Sequence, residues 1–363
     1  MHVGPQNLLY CVRQEFWPLN GRNICRMIVY KCVNCFKTKP LTSQQIMGDL
    51  PRDRITVQPA FYCTGLDFCG PFWIKYRGQR KGVYHKVYVC IFICLSTKAI
   101  HLELVCDLTS NAFIASLKRF FARRGKAKTL YSDNGTNFVG AGNELGRLYK
   151  IVQDRDENLD RYTSSENITW KFLPPKSPNF GGLWEAGVKS FKYHLKRVVG
   201  EAKLNYEEFL TIVIQIEGML NSRPLTPLSA DMDDLEVLTP GHFLIGRPIT
   251  SIAEPSLLEV NDNRLKIWQK LTKMVQTIWK KWRHSYLNNL QQRNKWLVTK
   301  KNVKNGDMVL VKEDNLPVNT WLMGRITEVF PGSDGLVRVV LVKTKKGNFK
   351  RPISKICLLP FES

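Results

Sequence analysis

From residue 61 to residue 105 the chain runs FYCTGLDFCGPFWIKYRGQRKGVYHKVYVCIFICLSTKAIHLELV. Residues 61–68, 83–94 and 99–105 are dense in Val, Ile, Tyr, Phe and Cys, which predicts three strands. Three strands in succession fit the antiparallel meander that opens a mixed sheet. Downstream, residues 109–124 predict a helix, with Thr109 or Ser110 as its cap and Gly125 as its stop. A short strand at 127–131 ends at Ser132–Asp133. A helix at about 139–152, a polar loop through 165, a strand at 168–172 and a long helix at 182–199 follow. A last helix at 205–221 stops before Pro224.

The order β-β-β-α-β-α-β-α predicts an α/β fold, a mixed five-stranded sheet with flanking helices. That is the order of the ribonuclease H-like fold. The expected organisation is a small module at 1–40, a linker at 41–59 carrying Pro51 and Pro59, and a core at 60–225. A second linker at 226–261 precedes a C-terminal domain at 262–363. In the module, Ile24, Ile28 and Val29 have helical spacing. In the last part an amphipathic helix spans about 264–293, with Leu265, Trp268, Val275, Trp282 and Leu290 near one stripe. Short strands at 307–312, 321–330, 336–343 and near 353–358, with turns at 331–335 and 346–348, predict a small SH3-like β-barrel.

Composition narrows the partner. The 363 residues hold 54 Lys and Arg against 31 Asp and Glu, a formal charge of +23. Such a surplus favours a polyanion, nucleic acid first, over a basic protein that is merely soluble. From residue 262 onward there are 21 Lys and Arg against 7 Asp and Glu, so most of the surplus sits there. The opening MHVGPQNLLY lacks a signal pattern, and the longest apolar stretch, 87–95, is far short of the roughly 20 residues of a spanning helix. A soluble, intracellular protein is expected, its ten cysteines mostly buried thiols.

Three carboxylates stand where these elements converge. Asp67 lies in TGLDFCGPF, Asp133 in YSDNGTNF and Glu185 in PPKSPNFGGLWEAGVKSFK. Singly, each has an ordinary explanation as a turn, a cap or a wet helix face. Together, two would meet at neighbouring strand ends and a helix would supply a third. Hard oxygen donors so grouped select Mg²⁺ or Mn²⁺, and two such ions about 4 Å apart serve in-line phosphoryl transfer. Lys189, Lys192 and Lys196 follow Glu185 at helical spacing.

These three segments, in this order, resemble the D-D-E core of retroelement integrases, and the GGLWEAGVKS form looks most like the BEL/Pao group of LTR retrotransposons. The resemblance implies divalent-metal-dependent DNA 3′-end processing and strand transfer, with Asp67, Asp133 and Glu185 as metal ligands. It also implies DNA contacts from Lys189, Lys192 and Lys196, DNA ends and target DNA as partners, homo-oligomers on DNA, and a nuclear site of action. Asn134 and Asn137 could orient DNA or water. The 52 positions between Asp133 and Glu185 exceed the retroviral interval, and the polar loop absorbs the excess. GRNICRMIVYKCVNCFKTKP resembles the end of the family's His-His-Cys-Cys zinc module, with His2, Cys32 and Cys35 as ligands. The module's first histidine has no counterpart here, and Cys11 or Cys25 could substitute. The segment 319–347, NTWLMGRITEVFPGSDGLVRVVLVKTKKG, resembles the small β-barrel that follows such cores. Its basic hairpin, with Lys343, Lys345, Lys346, Lys350 and Arg351, would grip phosphates without sequence preference. The competing expectations are an inactive, domesticated DNA-binding remnant and a nuclease of RNA–DNA hybrids.

Overall fold

A computed structural model describes residues 2–38, 50–76, 83–153, 168–172, 182–200, 202, 204–291 and 302–360. At 36, 38, 147–153 and 182–190 it describes the backbone alone. The chain divides into two compact units, Met1–Leu50 and Pro51–Ser363.

Strand parity builds the larger unit. β1 (Cys63–Ile74), β2 (His85–Cys94) and β3 (Ile100–Val105) form the antiparallel meander, and β4 (Thr129–Ser132) and β5 (Thr169–Phe172) add on in parallel. The order β3-β2-β1-β4-β5 is compatible with a ribonuclease H-like sheet. A helical turn, α4 (Arg52–Ile55), precedes it. Leu66 and Phe68 of β1 and Cys90, Phe92 and Cys94 of β2 face Phe113, Leu117 and Phe120 of α5 (Ser110–Arg124) and Phe138 of α6 (Thr136–Gln153). The alternate residues Cys69, Val87, Val89, Ile91 and Ile93 face the opposite way. They meet Phe191 and Leu195 of α7 (Gly182–Val199) and Phe209, Ile212 and Ile216 of α8 (Tyr206–Asn221). A strand covered on both faces needs apolar residues at both parities. That is why residues 87–95 are the longest apolar stretch.

Local chemistry sets the helix ends. The Thr109 side chain accepts from the Ala112 N–H, and Gly125 closes α5 at φ 85. Asn205 and Glu208 form a reciprocal capping box on α8. On the α5 face, Phe92 stacks on Phe120 with centroids 4.2 Å apart, and Phe61 meets Phe120 edge-on at 5.2 Å. Burying each such phenyl contributes about 1.5–3 kcal/mol.

β3 is an edge strand, and its free hydrogen-bonding groups are met by side chains. Asn221 Oδ1 accepts from the Ile100 N–H at 2.8 Å, and its Nδ2 donates to the Ile100 carbonyl at 2.7 Å. One helical turn earlier, Glu217 Oε2 accepts from the Leu102 N–H at 2.8 Å. The side of α8 thus serves the strand as a partner strand would. Glu217 also closes a buried polar network with His101, Glu103, Arg119, Arg123 and Arg124.

Residues 226–261 hold two short paired strands, β6 (Thr226–Pro227) and β7 (Val237–Leu238), and α9 (Pro240–Ile245). The amphipathic helix is α10 (Ile267–Leu290). Its buried stripe is Val275, Ile278, Trp279, Trp282 and Leu287, whereas Trp268, expected on that stripe, is exposed. Trp268 sits in the first turn, before α10 reaches α7 and α8. Five antiparallel strands complete the unit: β8 (Met308–Val311), β9 (Met323–Pro331), β10 (Val337–Thr344), β11 (Gly347–Pro352) and β12 (Ile356–Leu358), in the order β11-β10-β9-β8-β12. β11 has no counterpart among the strands expected from sequence. Its alternate residues face solvent, so it lacks an apolar run. Trp321 ties this sheet to the core: its Nε1 donates to Ser222 Oγ at 3.3 Å, and its ring packs on Trp279, Trp282 and Tyr286.

The smaller unit has three helices, α1 (Pro5–Arg13), α2 (Gly21–Lys31) and α3 (Val33–Thr38). A Cβ at Gly21 would stand 2.8 Å from Leu9 Cδ1 and from Pro18 Cγ, so the approach of α1 to α2 requires glycine there.

Candidate active site

Asp67 is half-buried on β1, and the Phe68 N–H donates to its Oδ1 at 2.6 Å. Antiparallel pairing sets Asp67 opposite Ile91, so the carboxylate lies on the face that α7 and α8 cover. The parallel register of β1 with β4 runs Cys63↔Thr129, Thr64↔Leu130, Gly65↔Tyr131. Two further steps bring Asp67 level with Asp133, just beyond the end of β4.

Asp133 is exposed. Its Oδ1 accepts from the Gly135 N–H at 3.0 Å, and its carbonyl accepts from Ser132 Oγ at 2.9 Å. Trp170 of β5 steadies that hydroxyl by donating to it at 2.9 Å. The turn is tight: a Cβ at Gly135 would lie 2.7 Å from Asn137 Oδ1 and 3.1 Å from Asp133 Oδ1. Asn134 is exposed, while Asn137 is half-buried and its carbonyl accepts from Ser110 Oγ at 3.3 Å.

Glu185 and Lys189 fall within α7, but their side chains lie outside the described residues. The helix itself packs on β1 and β2 through Phe191 and Leu195. Lys192 and Lys196 are exposed on it. Glu185 precedes Lys192 by two turns on the same stripe, roughly 10 Å along the axis. Lys192 is near enough to β1 to act on Cys69. Burial pushes that thiol up to about 12, with Asp67 adding to the shift and Lys192 opposing it.

In the C-terminal hairpin, Lys345 and Lys346 form the exposed turn between β10 and β11. The other three are held in part by protein. Lys343 is ion-paired with Asp233, whose carboxyl it holds below the usual range. The Lys350 ammonium sits 4.0 Å from the Phe330 ring centroid. Arg351 lies over Phe349 at 5.1 Å and 3.6 Å from Glu313.

In the N-terminal unit His2, Cys32 and Cys35 come together, with ligand atoms all within 4.8 Å of one another. His2 Nδ1 is 3.4 Å from Cys32 Sγ and 3.8 Å from Cys35 Sγ. The Cys35 backbone N–H, chief among several donors, lowers the Cys32 pKa, which favours the thiolate a metal needs. Neither Cys11 nor Cys25 joins this group among the described residues.

Two groups escaped sequence reasoning. Asp53 of α4 accepts from Lys171 Nζ at 3.0 Å and from the Tyr131 hydroxyl, pinning residues 52–55 to β4 and β5. The His101–Glu217 network joins β3, α5 and α8. No periodicity or motif marks either group.

A family model described as a family of unknown function (DUF5641) matches residues 266–359, the C-terminal helix and sheet. No curated protein matches the chain. Among solved structures, the chain is similar to one in the cryo-EM structure of the simian T-cell lymphotropic virus intasome in complex with PP2A regulatory subunit B56 gamma. Identity is 13% and the TM-score 0.35, over 100% of this chain and 97% of that one.

Proposed function

We propose that this chain is an integrase of retroelement type, most like the BEL/Pao group, that trims DNA 3′ ends and joins them to target DNA. The observation that supports the reading is the register of β1 with β4, which continued by two residues pairs Asp67 with Asp133. Two carboxylates so disposed suit hard cations, Mg²⁺ or Mn²⁺, and Glu185 is the proposed third ligand. Bound metal would supply an activated nucleophile and a stabilised leaving oxygen. The residues themselves hold and orient: the Gly135 N–H and the Trp170–Ser132 contact fix the Asp133 turn, and Phe191 and Leu195 seat α7. Lys189, Lys192 and Lys196 would bind phosphates of the DNA end, and Asn137 would contribute a further DNA contact. Lys345 and Lys346, with Lys343, Lys350 and Arg351, would bind phosphates elsewhere on the duplex, as a charge of +23 favours. Closure of the C-terminal sheet into an SH3-like barrel, homo-oligomers on DNA, and action in the nucleus belong to the same reading.

His2, Cys32 and Cys35 are three donors of zinc-binding type. We propose them as part of a structural zinc site, tested by metal analysis of the purified chain and of its Cys32→Ser variant.

A strand-transfer assay with the element's own terminal sequence and Mg²⁺ or Mn²⁺ tests the main reading. Joined product is expected from the wild type and none from Asp67→Asn or Glu185→Gln. Absence of joining, with salt-sensitive DNA binding unchanged in both variants, would point to a DNA-binding remnant. Cleavage of RNA–DNA hybrids without joining would point to a nuclease.

A further inference from the structure

Among the described residues, one sizeable pocket lies far in sequence from the carboxylates. It opens between α10, residues 252–258 and the loop at 315–318, with a volume of about 110 Å³. Leu258, Trp279, Leu316 and Val318 supply apolar wall, and Arg283 lies among them. Several polar groups on this wall already have partners. The Trp279 indole N–H donates to the Leu316 carbonyl at 3.2 Å. Gln276 accepts from the Leu257 N–H and donates to the Pro255 carbonyl, both at 2.9 Å. Arg283 differs. It is only 6% exposed, its Nη2 donates to the Glu313 carbonyl at 2.6 Å, and its Nη1 has no acceptor among the described residues. Leaving a donor of a buried charged group unmade costs more than leaving a neutral one, so an unspent guanidinium N–H beside a pocket points to an acceptor brought from outside.

We infer that this pocket binds a small carboxylate on an apolar stem, with the carboxylate on Arg283 and the stem against Trp279 and Leu316. Size and polarity select that class. The volume exceeds the roughly 30 Å³ share of one water and falls somewhat short of the ~150 Å³ of an engineered cavity that takes benzene, which suits about six heavy atoms. Glu254 and Lys280, both in the lining, offset each other in charge, so shape and wall polarity select: a planar carboxylate matches the guanidinium fork, and a fully hydrated phosphate dianion would lose more solvation against the apolar part of the wall. The inference shares no residue with the proposed DNA chemistry and stands or falls apart from it.

Saturation-transfer NMR on the full chain tests it, with butyrate, the neutral butyramide, inorganic phosphate and N-acetylleucine as probes. Butyrate is expected to bind at least about tenfold more tightly than butyramide, the share of a charge-assisted hydrogen bond, and phosphate should not displace it. N-acetylleucine binding more tightly than butyrate would identify a peptide C-terminus as the source; the reverse order would identify a free acid. Leu316→Trp, a substitution at a half-exposed wall residue, should abolish binding while circular dichroism stays that of the wild type. Arg283→Gln should erase the preference for butyrate over butyramide. Equal binding of the two probes, displacement by phosphate, undiminished binding in folded Leu316→Trp, or no butyrate binding at all overturns the assignment.

Discussion

The register of β1 with β4, which runs to Gly65↔Tyr131, sets Asp67 level with Asp133. Their position is therefore only as firm as the turn after β4. Gly135→Ala puts a methyl 2.7 Å from Asn137 Oδ1 and 3.1 Å from Asp133 Oδ1, so the Asn137 side chain must turn away and the Asp133 carboxylate must shift. If the proposed chemistry is right, joining should slow by up to about a hundredfold, as misplacement of a catalytic group by an ångström can, with the unfolding midpoint little changed. Cys69, two residues along β1, offers a test of burial at the same spot. Its thiol is pushed up to about 12 by burial, and the thiolate is the reactive form. Iodoacetamide at pH 8, read by peptide mass spectrometry, should label the exposed Cys106 and spare Cys69. The three candidate carboxylates stand out in sequence because each sits in a distinctive local string. The Arg283 pocket does not, since an arginine on an amphipathic helix reads as solvated surface until the loop at 313–318 covers it.

α8 is the element whose role most exceeds its own sequence. By pattern it is one more apolar helix, yet Asn221 and Glu217 finish the edge of β3. Asn221→Ala removes two hydrogen bonds and leaves the Ile100 N–H and carbonyl buried and unmet. The loss should be about 2–4 kcal/mol in urea unfolding, far above that of a surface asparagine. The network on the same edge sets a pH dependence. Burial, then Arg124 and Arg123, hold the His101 pKa below the ordinary imidazole value despite Glu217. Burial pushes Glu217 up, but hydrogen bonds from His101 and the Leu102 N–H, with Arg124, outweigh it and leave its pKa lowered. A group whose pKa is depressed by folding adds stability above its unfolded pKa and loses it as pH falls through the folded one. Stability should therefore decline below about pH 6.5 through His101, and further below about pH 4.3 through Glu217. Urea midpoints at pH 7.5 and 5.5 should differ in the wild type, and the difference should shrink in His101→Gln.

At the scale of the larger unit, the C-terminal sheet is fastened to the core through α10. Trp282→Ala empties a site ringed by Trp279, Tyr286 and Trp321 and should cost about 3–5 kcal/mol. The sheet and the core should then melt separately in calorimetry, where one transition is expected of the wild type. Charge acts over the same scale. If Lys345 and Lys346 each contact a phosphate, replacing both by Glu should flatten the slope of log affinity against log salt by about 2, measured by fluorescence anisotropy with duplex DNA. An unchanged slope would remove the turn from the DNA surface.

Much of the described fold was written locally. The caps at Thr109 and Asn205, the stop at Gly125, and the both-faces apolar run of β2 each follow from residues within a few positions of one another. So the element order of the core could be read from sequence. β11 escaped because an edge strand with alternate residues in water lacks an apolar run, and Trp268 was misplaced because helical periodicity does not say where a neighbouring helix begins. The remaining features were decided only by tertiary structure, for a single physical reason: they join groups far apart in the chain. Ile100 and Asn221 are 121 residues apart, Tyr131 and Asp53 are 78, and Ser222 and Trp321 are 99. Which distant polar group completes a buried one depends on how sheet and helices stack, and no local pattern of residues encodes that.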